Sequence, residues 1–176
     1  MRLAVGQKVA YPNQGVCLVE EFKKCTIGGR PMSGFSLRVL HDNSTIFVPE
    51  AKSESVGIRP LITSAQCDRL ISMLSEDFEP VSGDWKTRSK QFSERLRSGD
   101  IFQAAVVLKM LTFLSHEKKL SFREQTLLEK SKFLILSELK NVCKKPPVED
   151  EIVNMVESAC AKHLIGQPGV MSAVGN

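Results

Sequence analysis

At 176 residues, with 42% hydrophobic and 25% charged side chains, the chain has the composition of a soluble globular protein, one compact domain or two small ones. That balance excludes a disordered chain and a membrane-embedded one. A net charge of +4 at pH 7 permits contact with nucleic acid without establishing it, so the placement of charge matters more than its sum.

Met1 to Gly6 shows no signal-peptide pattern and runs straight into strand-like sequence. Lys8 to Tyr11 reads as a short strand closed by the turn cluster Pro12-Asn13-Gln14-Gly15, and Val16 to Phe22 as the next. Ile27-Gly28-Gly29-Arg30 supplies the positive-φ residues of a hairpin. Phe35, Leu37 and Val39 then alternate with Ser36 and Arg38, the period of a half-buried strand. Asp42-Asn43 turns the chain into Thr45-Ile46-Phe47-Val48, which stops at Pro49. Short strands joined by tight turns predict a small Tudor-like or SH3-like β-barrel over residues 1–62. A barrel of that size has a modest core and is expected to lean on its neighbour.

From Ser64 the period becomes helical, predicting an all-α bundle over residues 63–166 and an α+β fold for the whole chain. Ser64 is read as the cap of a helix with Cys67, Leu70, Ile71 and Leu74 on one face. Asp77 to Gly83 reads as a loop, and Asp84 as the N-cap of a helix from Trp85 to Gly99. Asp100 caps a third helix, to about Glu117; apolar nearly all round, it is expected at the centre of the bundle. Ser121-Phe122-Arg123-Glu124 is a capping box opening a helix to about Val142. After the break at Lys144-Lys145-Pro146-Pro147 comes a last helix with acids in its first turn. Residues 167–176 are read as a frayed tail. The most apolar run, Ile101 to Leu114, is shorter than the ~20 residues of a bilayer span, so a cytoplasmic protein is expected.

Catalytic chemistry is hard to find. There is no phosphate-binding glycine loop, nucleophile elbow or His-Glu-x-x-His. Gly28-Gly29 is too short to cradle a phosphate. Cys17, Cys25, Cys67, Cys143 and Cys160 are scattered, with no Cys-x-x-Cys pair, and read as reduced thiols. With the histidines equally dispersed, neither a metal nor another cofactor is expected. What stands out is the lone tryptophan in a basic setting, Asp84-Trp85-Lys86-Thr87-Arg88-Ser89-Lys90. An indole at a helix entrance among cations suits a wedge into nucleic acid. The plainer alternative is a core tryptophan beneath a solvated face. Phe92 and Leu96, farther along the same side of the helix, are expected to turn inward and anchor it.

Four collinear stretches carry a family resemblance. They are Val5-Gly6-Gln7-Lys8-Val9 with Tyr11-Pro12-Asn13-Gln14-Gly15-Val16; Phe47-Val48-Pro49 with Ser55-Val56-Gly57-Ile58-Arg59; Trp85-Lys86-Thr87-Arg88 through Leu96-Arg97-Ser98-Gly99-Asp100; and Lys119-Leu120-Ser121-Phe122-Arg123-Glu124 with Ser137-Glu138-Leu139. Together they resemble the CarD/CdnL family of bacterial transcription regulators. The N-terminal part is also similar to the polymerase-binding domain of the transcription-repair coupling factor, whose helicase motifs this chain lacks.

The resemblance implies a Tudor-like domain that binds the β subunit of RNA polymerase by strand addition. It also implies a helical domain that places Trp85 in the minor groove of promoter DNA at the upstream edge of the transcription bubble. Lys86, Arg88 and Lys90 would hold phosphates nearby, with Arg88, one turn from Trp85, the foremost. On the capping-box helix Gln125 stands where relatives carry a base, and Arg123 is the nearby substitute. A monomer, associated with the nucleoid through the polymerase, is implied as well. On the polymerase side the corresponding residues are Lys23, Lys24, Cys25, Arg38 and Phe47. Cys25 and Phe47 stand where relatives often carry arginine, which would replace a charged contact by an apolar one. The lysines and Arg38 also fit an ordinary solvated strand edge. Competing readings are a protein-interaction module that never touches DNA and a DNA-binding protein that acts without polymerase.

Overall fold

The computed structural model of the protein describes residues 3–79 and 84–166, with residues 85 and 164–166 described by their backbone alone. The loop expected over Asp77–Gly83 falls partly outside the described residues, and the expected tail at 167–176 falls wholly outside them.

Five strands form one antiparallel sheet: β1 (Lys8–Tyr11), β2 (Gly15–Ile27), β3 (Arg30–Val39), β4 (Thr45–Pro49) and β5 (Arg59–Pro60), in the order β4-β3-β2-β1-β5. Four consecutive strands meander and the fifth returns beside the first, the order of a small Tudor-like fold. The hairpin tip between β2 and β3 is Gly28-Gly29, at φ +59° and +77°, where a side chain would be strained. β2 continues five residues past the expected Phe22 because β3 pairs with it to the tip, Ile27 opposite Arg30. A bulge between Val19 and Glu21 bends it midway. β5 has no periodicity of its own; pairing of Arg59 and Pro60 with Ala10 and Val9 of β1 creates it. Val9, Cys17, Val19, Leu37, Val39 and Val48 close the core of this half.

The helices follow: α1 (Ser64–Ser75), α2 (Trp85–Arg97), α3 (Ile101–Glu117), α4 (Phe122–Val142) and α5 (Glu149–Gly166). Thr63, not Ser64, caps α1. Its side chain accepts from the Gln66 N–H at 3.3 Å while Gln66 Oε1 accepts from the Thr63 N–H at 2.9 Å, a reciprocal box. The caps expected at Asp84, Asp100 and Ser121 all form. α3 packs against each of the other four helices, and its buried residues lie all around it. Among them is Lys109, 1% exposed. Its ammonium donates to Glu76 O at 2.8 Å and lies 5.6 Å from the centre of the Phe78 ring. Burial pushes its pKa down.

The expectation of five reduced thiols needs correction. Cys67 and Cys143 are joined as a disulfide, their Cα atoms 6.6 Å apart across a separation of 76 residues. Only the packing of the bundle brings the first turn of α1 beside the C-cap of α4, so spacing in the sequence carries no sign of it. Cys17 and Cys160 are free and buried, and burial raises both thiols to about 11. Among the described residues no helix is long and apolar enough to cross a membrane.

Candidate functional site

The basic helix α2 owes its start to Asp84. Oδ1 accepts from the Thr87 N–H at 2.9 Å and Oδ2 from the Thr87 hydroxyl at 3.0 Å. Those bonds, with a smaller contribution from Arg88, hold the carboxyl below the usual aspartate range. No acid stands in the first turn. Lys86, Arg88 and Lys90 instead add their charge to the positive end of the helix dipole, an arrangement that disfavours the helix and favours a bound anion. Phe92 and Leu96 are 1% and 3% exposed and anchor α2 to the bundle, as expected from their side of the helix.

Arg123 reaches the same place from another element. It stands in the first turn of α4, and with Lys86, Lys90 and Arg97 it lines an open groove of about 320 Å³. Ser89, Ser93 and Glu94 complete that lining. Glu94 lies 3.9 Å from Lys90, and both are largely exposed, so the contact is a weak one. Arg88 is half-buried and does not line the groove. Of the four cations singled out in the sequence, three therefore converge and one sits apart. Arg97 joins them, although the sequence named it only within the stretch that carries the family resemblance. The side chain of Trp85 lies outside the described ones.

A second aromatic was missed. Phe122 opens α4 next to Arg123 and is 86% exposed, far more than any other phenylalanine described. Its capping box is sound: Ser121 Oγ accepts from the Glu124 N–H at 3.3 Å, and the Glu124 carboxylate accepts from the Ser121 N–H at 2.8 Å. Burial raises the pKa of Glu124, but the bonds from Ser121 and the Lys118 ammonium outweigh it, and the net shift is down. The first position of a helix points away from the bundle here, and an apolar residue in that position was the available signal.

On the sheet, the residues expected to meet a protein partner divide between two faces. Register places Lys23 opposite Gly34, Cys25 opposite Met32, and Phe47 opposite Ser36, so Lys23, Cys25, Arg38 and Phe47 share one face. Lys24, opposite Ser33, points to the other. Phe47 lies close over Gly34; a Cβ there would come within 2.7 Å of its ring. Arg38 is bound to Glu20 at 2.5 Å and to Asn43 at 3.0 Å, and Lys23 to Glu21 at 2.9 Å. The face is thus apolar around Cys25, Met32 and Phe47, with its cations already engaged. Beyond it, β4 pairs only with β3 and forms one edge of the sheet.

Comparison with known proteins covers both halves. The CarD-like/TRCF RID domain family matches residues 3–62, and the CarD C-terminal domain family matches residues 69–157. The chain is 23% identical over 136 residues to the "Putative transcription factor YdeB" of Bacillus subtilis (strain 168), covering 77% of this chain and 89% of that one. It is 37% identical to the 72-residue N-terminal domain of Myxococcus xanthus CarD, solved by solution NMR. That match covers 34% of this chain and 79% of the other, with a TM-score of 0.29.

Proposed function

The chain belongs to the CarD/CdnL family of transcription regulators, and from that premise we propose that it stabilises the open promoter complex while docked on RNA polymerase. Residues 1–62 are the polymerase-binding domain and residues 63–166 the DNA-contacting domain. The sheet meets the β subunit through the face of Lys23, Cys25, Arg38 and Phe47 and the adjoining edge, while Lys24, on the opposite face, lies outside that contact. Trp85 enters the minor groove at the upstream edge of the bubble, where it keeps the strands from closing. Lys86, Lys90 and Arg123 hold the phosphates beside it, and Arg88 supports the helix entrance. Phe122 adds a second apolar surface against the DNA.

The observation that carries this reading is the convergence of Lys86, Lys90, Arg97 and Arg123 from two helices on one groove; the exposed Phe122 is the chain neighbour of Arg123. Two helices bringing like charges together lose stability by repulsion, which an anionic partner relieves. The mechanism is physical. Tethering through the sheet raises the local concentration of the helical domain at the promoter. A gain of about 1.4 kcal/mol in the open state then shifts promoter opening tenfold.

The test is the lifetime of the open complex formed by a bacterial RNA polymerase that binds this protein. The intact protein lengthens it; Trp85→Ala remains folded, binds polymerase as before and no longer does so. An unchanged lifetime with the intact protein would overturn the proposal. A Trp85→Ala protein that loses about 3–5 kcal/mol of core stability yet keeps its function would point to a protein-interaction module instead, and tight duplex binding without polymerase to an autonomous DNA-binding protein.

A further inference from the structure

The two cores share no residue, yet the sheet and the helices are joined by a directional polar node centred on Arg59 and Glu138. We propose that this ion pair is a positioning element: it sets the angle between the polymerase-binding sheet and the DNA-contacting helix α2, so that both partners are engaged at once. The proposal rests on the function argued above, and it adds to that function the residues that transmit position between its two ends.

Glu138, on α4, is 2% exposed. Its carboxylate accepts from Arg59 Nη1 at 2.6 Å and Nη2 at 2.7 Å, a two-pronged pair, and from the Ile62 N–H at 2.8 Å. Arg59, in β5, also reaches the helices through its third nitrogen, since Nε donates to Gly99 O at 2.7 Å. Gly99 is the joint between α2 and α3, at φ +75°, and a Cβ there would lie 3.1 Å from the ring of Pro12 in the β1–β2 turn. One guanidinium thus ties the sheet, α4 and the end of α2 together.

Neighbouring contacts point the same way. The Val16 N–H donates to Ser137 Oγ at 3.1 Å, and Lys8 Nζ to Asn141 Oδ1 at 3.0 Å. Gly15 approaches α4 so closely that a Cβ would come within 2.9 Å of Ser137 Oγ. Consecutive turns of α4 therefore face the sheet through polar groups with defined directions.

Two physical arguments favour orientation over bulk stability. Glu138 is buried and Arg59 partly so; an ion pair in such a site often contributes no more to stability than apolar residues of the same size, whereas its fork tolerates little rotation. The geometry is also a lever. α2 has 13 residues and is about 20 Å long at 1.5 Å per residue. It is tied to the sheet at its Gly99 end and carries Lys86 and Lys90 toward the other, and because Phe92 and Leu96 anchor it, it turns with the bundle. A tilt of roughly 10° at the Gly99 end displaces the far end by about 3 Å, the reach of a hydrogen bond.

The test replaces the pair by apolar residues, Arg59→Met with Glu138→Leu, in the full chain. The expected result is an unfolding temperature no lower than that of the parent, unchanged polymerase binding, and a tenfold smaller extension of open-complex lifetime. A bismaleimide cross-link between Lys8→Cys and Asn141→Cys restores the extension by holding the same interface, and parent protein treated with the same reagent controls for modification of Cys25, Cys17 and Cys160 being buried. Spin labels at the exposed positions Lys24 and Gln125 read orientation directly: the distance distribution is narrow in the parent, broad in the apolar pair and narrow again after cross-linking. If the apolar pair fails to fold, Arg59→Lys, which keeps the charge and loses the fork, serves the same measurements. An equally narrow distribution and full lifetime in the uncoupled variants would overturn the proposal. If the parent itself does not lengthen the complex, the functional reading fails, and the spin-label distances still decide whether the pair sets the angle.

Discussion

Two phenylalanines, on the two helices that line the groove, allow surface and core contributions to be separated. Phe122 is 86% exposed and Phe92 1% exposed. A phenylalanine buries on the order of 200 Å² when fully enclosed, so the remaining 14% of Phe122 amounts to roughly 30 Å². At about 25 cal/mol per Å², truncation to alanine costs about 0.7 kcal/mol. The better helix propensity of alanine offsets part of that. Phe92→Ala, by contrast, leaves a cavity in a close-packed bundle and costs about 3–5 kcal/mol. Urea denaturation of Phe122→Ala therefore gives a midpoint almost equal to that of the parent, while Phe92→Ala shifts it strongly. Open-complex lifetime orders the two differently: Phe122→Ala shortens it severalfold although its fold is intact. A Phe122→Ala protein that extends the lifetime as well as the parent would refute a role for this ring at the DNA. One that loses several kcal/mol of stability would refute the inference from burial itself.

Further outcomes follow from single contacts. Lys109→Met removes a desolvated ammonium and leaves Glu76 O to water, so stability is unchanged or higher by about 1 kcal/mol at neutral pH; chemical denaturation measures it. Because burial lowers the folded pKa of Lys109, the penalty for its charge is present at neutral pH. It is relieved as pH rises through that value toward the unfolded one. Glu124 behaves in the opposite sense. Its folded pKa is depressed, so its contribution is complete above the unfolded glutamate value of about 4.3 and disappears as pH falls through the folded one. Ser121→Ala costs about 1 kcal/mol and flattens that acid limb in a pH series of unfolding curves. Opening Cys67–Cys143 with a dithiol removes the closure of a 76-residue separation, worth up to about 4.5 kcal/mol. Melting with and without reductant measures the loss, and thiol titration of the unreduced, unfolded chain should count three groups.

Residue by residue, the sequence by itself determined whatever depends on near neighbours. Asp84, Asp100 and Ser121 stop and start helices through bonds spanning two or three residues, and Gly28-Gly29 makes a hairpin because only glycine sits easily at two positive φ angles in a row. The inward turn of Phe92 and Leu96 followed from helical period alone. Even Thr63 obeyed the same rule, displaced by one position because its partner Gln66 can close the box and the partner of Ser64 cannot.

Tertiary structure decided the rest. β5 exists because β1 offers it an unpaired edge. Lys24 parts from Lys23 because successive residues of a strand point to opposite faces, and pairing with β3 decides which face is which. Arg123 joins Lys86 and Lys90, and Arg59 meets Glu138 across 79 residues, only once the elements have packed. The same holds for Cys67 and Cys143. Periodicity reports which side of an element is apolar, but not which distant element will cover it. Contacts between polar groups far apart in the chain leave no period at all, since their energy arises from geometry that the folded chain alone supplies.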